Sequence, residues 1–93
     1  GVRRYLEVEA GIVGAAAHLA QMGLRPNPRR LYKSAADREI GLVEQILLPA
    51  LMSSKPERRR EALDQIDNIV SATAQLRQLL LSRGLHELTA KPQ

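Results

Sequence analysis

Apolar residues recur along this chain at steps of three and four rather than in alternation. Between residues 3 and 22, Leu6, Ala10, Val13, Ala17 and Ala20 follow the helical period, which predicts a first helix from about Arg3 to Met22. Its middle, AGIVGAAAHLA, is built from small residues. Gly11 and Gly14 each cost about 1 kcal/mol against Ala in a helix interior, so a partner helix is expected to approach closely there. Gly23 stands where a C-terminal cap belongs, and RPNP follows. Residues 23–33 therefore read as a connection.

Ser34 opens the stretch SAAD with Asp37 three residues on, the spacing at which two side chains cap the first turn of a helix. A second helix is expected over about Ala35 to Met52, with Pro49 kinking its last turn. Ile40, Val43, Leu47 and Leu51 form one stripe, Ile46 and Leu48 flank it, and Leu42 lies opposite. So wide an apolar surface exceeds what one neighbour covers, so the stripe is a candidate oligomer interface.

A third helix is expected to start at SKPE, with Ser54 as N-cap, Pro56 in the first turn and Glu57 completing a capping box. Its apolar positions are Ala62, Leu63, Ile66, Ile69, Val70, Thr73, Leu76 and Leu80, and Gly84 is the expected end. LHELTAKPQ then reads as a short terminal turn or tail. The fold class is all-α: an antiparallel up-down bundle of three long helices in a single domain, residues 1–93. A fourth helix is short, or comes from another subunit.

Composition supports that class. Hydrophobic residues make up 44% of the chain but aromatics only 2%, with neither Phe nor Trp, whereas strands favour aromatic and β-branched residues. The absence of Cys excludes disulfides, thiolate zinc sites and cysteine nucleophiles, and fits a reducing, cytoplasmic setting. The uncharged run Ala10–Gly23 is shorter than the ~20 apolar residues of a membrane span, and no membrane association is expected. Nor does this run sit in a signal-peptide frame, since Glu7 and Glu9 precede it. His18 and His86 lack a metal-ligand companion at helical spacing, and there is no Gly-rich phosphate loop, HExxH or nucleophile elbow. The expectation is a non-enzyme with no catalytic residues, no metal and no cofactor.

Charge is the remaining lead. The chain carries a formal +4, which permits an acidic partner. In RPNPRRLYK, Arg25, Arg29, Arg30 and Lys33 surround Tyr32 with no acid among them, and Arg38 follows. Such a cluster grips phosphates and can stack a base, or it is a solvated loop that aids solubility. Arg58, Arg59 and Arg60 open the third helix, where a macrodipole prefers acids. Arg60 is spaced to pair with Glu57 and Asp64, while Arg59 is placed to reach out at the bundle end. Arg77 falls within ~20° of Ile66 at the helical step of about 100° per residue. A charge in that stripe needs a carboxylate, from Glu44 or from a neighbouring subunit, which makes Arg77 a candidate interface residue.

The run from Lys33 to Leu85 resembles the accessory variability determinant (Avd) family and related four-helix-bundle proteins. What carries the resemblance is DREIG opening one helix, an aliphatic run to ALMSS, a short basic hinge, and LRQLLLSRGL closing the next helix. The resemblance implies a pentameric homo-oligomer that accompanies the reverse transcriptase of a diversity-generating retroelement, with a basic surface for the template RNA. The corresponding positions are Arg38, Arg58–Arg60 and Arg77. Two functions are thus expected as alternatives. One is an accessory bundle that binds RNA or DNA; the other is a protein-binding adaptor or oligomerisation module without nucleic acid.

Overall fold

The computed structural model describes residues 1–90. Its elements are α1 (Val2–Gln21), α2 (Pro28–Leu51), α3 (Pro56–Asp64) and α4 (Ile66–Ala90), with no strand among the described residues. The fold is all-α, as the periodicity predicts. The chain divides into two compact units, Gly1–Gly41 and Leu42–Gln93, with the boundary inside α2.

In the first unit, α1 ends in a Schellman motif. Gly23 takes φ +111°, the left-handed region that glycine enters without a Cβ penalty. Its N–H donates to the Ala20 carbonyl at 3.1 Å, and the Leu24 N–H reaches back to Leu19 at 3.0 Å. The expected C-cap at Gly23 is therefore present. The connection that follows is shorter than expected, because α2 begins at Pro28, well before Ala35.

Asn27 explains the early start. Its Oδ1 accepts from the backbone N–H of Arg29 at 3.1 Å and of Arg30 at 3.4 Å, so Asn27 is the cap and Pro28 the first helical residue. Ser34, expected as the cap, is interior to α2. The close helix approach expected at the α1 glycines is also absent. A Cβ added at Gly11 or Gly14 would meet nothing within 4 Å.

In the second unit, α2 continues past Pro49 to Leu51, and Met52 N–H closes the end on the Leu48 carbonyl at 2.8 Å. The N-cap of α3 is Lys55, not Ser54, and no side chain caps it. Proline drives its preceding residue out of the helical region, and Lys55 is accordingly extended at φ −88°, ψ 116°. The expected third helix is divided at Gln65. There the backbone N–H is shared between the Glu61 and Ala62 carbonyls, both at 3.1 Å, with φ −89° and ψ −6°. Beyond it, α4 passes through Gly84 and runs to Ala90. Leu85, His86, Glu87, Leu88 and Ala90 sustain the helix that Gly84 was expected to stop. Lys91, Pro92 and Gln93, the end of the expected tail, lie outside the described residues.

Burial is slight. Among the described residues only Pro28 and Ala62 are buried, and no side chain is completely shielded. Val43, Leu47, Ala50 and Leu51 of α2 and Ile66, Ile69 and Ala74 of α4 are half-buried. Large apolar side chains elsewhere, including Ile40, Leu42, Ile46 and Leu48, stay exposed.

Candidate functional site

The basic cluster of the first unit is assembled by the start of α2. Arg29 occupies the first turn, where Asn27 fixes the backbone, and its Nη2 donates to Glu9 Oε2 of α1 at 3.1 Å. Lys33, one turn on, donates from Nζ to Asp37 Oδ2 at 2.8 Å within α2. Two of the cations expected to grip phosphate are thus already held by carboxylates. Arg25, Arg30 and Arg38 are exposed and form no ion pair among the described residues. Arg25 also precedes a cis bond to Pro26.

Tyr32 lies between these cations and is 61% exposed. It lines a groove of about 600 Å³ between α1 and α2, together with Ile12, Ala15, Ala16, Leu19 and Ala36. Glu9, Arg29 and Lys33 belong to the same lining. The small side chains of AGIVGAAAHLA therefore leave open space where a close helix contact was expected. This groove was not anticipated from the sequence, because small residues at helical spacing read first as a packing contact.

The arginine triplet of the second unit separates into different roles. Arg59 is half-buried and donates from Nη1 to the Ser53 carbonyl at 2.6 Å, tying α3 to the connection before it. Arg58 and Arg60 are exposed, and the expected pairing of Arg60 with Glu57 or Asp64 does not form. Arg77 is exposed on α4 and is not without a partner. Val43, Leu47 and Leu51 of the candidate interface are half-buried, while Ile40 is exposed.

Exposed apolar side chains occur on every helix, and on α4 they are mainly leucines. Leu76, Leu79, Leu80, Leu81, Leu85 and Leu88 are each between 48% and 66% exposed. The model of one protein family, the Rv1828-like C-terminal domain, matches residues 2–89. The chain belongs to this family. The match takes in α1 to α4 almost completely. No curated protein and no solved structure matches the chain, and no comparison links this Rv1828-like domain to retroelements. Among its described residues no helix is long and apolar enough to cross a membrane, and no three His, Cys, Asp or Glu side chains are grouped to hold a metal.

Proposed function

We propose that this Rv1828-like domain is a non-catalytic self-association module, in which a second copy of the chain completes an antiparallel up-down helical bundle. The leucines of α4 carry the reading. Taken at 100° per residue, Leu79, Leu76, Leu80, Leu88, Leu81 and Leu85 spread over well more than half of the helix circumference. Fully burying one leucine is worth about 1.5–3 kcal/mol, so an α4 left in water forgoes a large part of its stabilisation. The half-buried stripe Val43, Leu47 and Leu51, with exposed Ile40 beside it, extends the apolar surface onto α2. A chain without cysteine suits a cytoplasmic setting for such a module.

Light scattering over a concentration series tests the proposal. A homo-oligomer is expected, weakened about tenfold or more by Leu80→Asp or Leu85→Asp. A monomer at all concentrations, or an oligomer indifferent to both substitutions, would remove the reading.

A second reading is nucleic-acid binding, favoured by Arg25, Arg30, Arg38, Arg58 and Arg60, none of which has an ion-pair partner among the described residues. Under the retroelement resemblance the assembly would be a pentamer and its partner a reverse transcriptase. Phosphate contacts make affinity fall steeply with salt, whereas an apolar interface hardly responds. Titration with structured RNA and with duplex DNA at low and high salt therefore separates the two readings.

A further inference from the structure

We propose that the groove between α1 and α2 is a binding site for a small amphiphilic molecule with an apolar body and an anionic head. The site lies wholly in the first unit, and the proposal does not depend on self-association.

Volume and lining set the class of ligand. About 600 Å³ lies within the range of roughly 300–1,000 Å³ typical of small-molecule sites, which are mostly apolar with a few convergent polar groups. Ile12 and Leu19 supply aliphatic walls, and the Tyr32 ring offers a flat face. Ala15, Ala16 and Ala36 keep the space between the helices open, where leucines would fill it.

Charge sets the head group. The lining holds two cations, Arg29 and Lys33, against one carboxylate, Glu9. Arg29 meets Glu9 through Nη2 alone, leaving further N–H donors on a guanidinium that has five. Lys33 has three N–H donors and commits one to Asp37, which is outside the lining. The two cations are spaced i, i+4 on α2, so they stand one above the other on the same helix face. An anion between them would gain charge-assisted hydrogen bonds, and the Glu9 carboxylate keeps Arg29 turned towards α1.

Calorimetric titration of the full chain with decanoate, 1-decanol and decyltrimethylammonium tests this, each below its micelle concentration. Saturable binding of one decanoate per chain is expected, at least about tenfold tighter than the cation. Ala16→Leu and Ala36→Leu fill the groove from opposite helices and keep helix propensity, so each should weaken decanoate about tenfold while circular dichroism is unchanged. Lys33→Met should reduce the preference for decanoate over decanol, with Arg29 left to hold the remainder. No saturable binding, equal affinity for the cation, or indifference to both filling substitutions would overturn the proposal. So would amide shifts at Ile12 and Ala16 that follow protein concentration and ignore decanoate, which would assign the groove to a second copy.

Discussion

Arg29 and Glu9, twenty residues apart in sequence, meet at 3.1 Å and join the first turn of α2 to α1. Both are substantially exposed, at 54% and 36%, so solvent screens the pair and its worth is about 0.2–1 kcal/mol. Glu9→Gln should therefore lower stability in a urea titration by less than ~1 kcal/mol, and less again in high salt. The same change removes the one carboxylate of the groove, so decanoate should bind more tightly. A large stability loss would show that Glu9 does more than form a screened surface pair, and weaker decanoate binding would show that its hold on Arg29 outweighs its charge.

Asn27 and Ser34 are both plausible caps by residue type, and they give opposite expectations on substitution. Asn27 accepts two backbone N–H groups at the start of α2. Asn27→Ala should cost about 1 kcal/mol and lower Tm by several degrees. Ser34 lies inside the helix, where alanine is the better helix former, so Ser34→Ala should be neutral or slightly stabilising. Thermal melts of the two variants read the difference directly.

Helix existence was legible because the 3.6-residue spacing of Leu, Ile, Val and Ala leaves no other regular structure. The boundaries were less so, for reasons particular to each. RPNP holds a stop and a start at once: Pro26 lies in the connection, while Asn27 and Pro28 open the next helix. The break at Gln65 falls in ALDQIDN, which contains neither Gly nor Pro, and it arises from a shared backbone donor that no side chain announces. The basic cluster was visible, but its pairing was not. Glu9 is remote in sequence from Arg29, and only the fold brings the two together.

Gly23 and Gly84 make a second contrast, this time in backbone geometry. Gly23 sits at φ +111°, where any other L-residue is strained. Gly23→Ala should destabilise by about 1 kcal/mol or more, since leaving the left-handed region also breaks the Schellman bonds. Gly84 is in the interior of α4, and a Cβ there would meet nothing within 4 Å. Gly84→Ala should stabilise α4 by about 0.5–1 kcal/mol. Denaturant midpoints of opposite sign are the expected result.

Gly14 tests whether the assembly uses α1 as well as α4. Space at Gly14 is open within the chain, so Gly14→Ala should raise stability by up to about 1 kcal/mol through helix propensity alone. Were α1 of a second copy packed against Gly14, an added methyl would instead push the helices apart and weaken association. The self-association reading places the contact on the leucines of α4, so the oligomer should keep its dissociation constant in Gly14→Ala and lose it in Leu85→Asp. Sedimentation velocity on both variants reports this directly. Weakened assembly in Gly14→Ala with Leu85→Asp unaffected would move the interface to the small-residue face of α1.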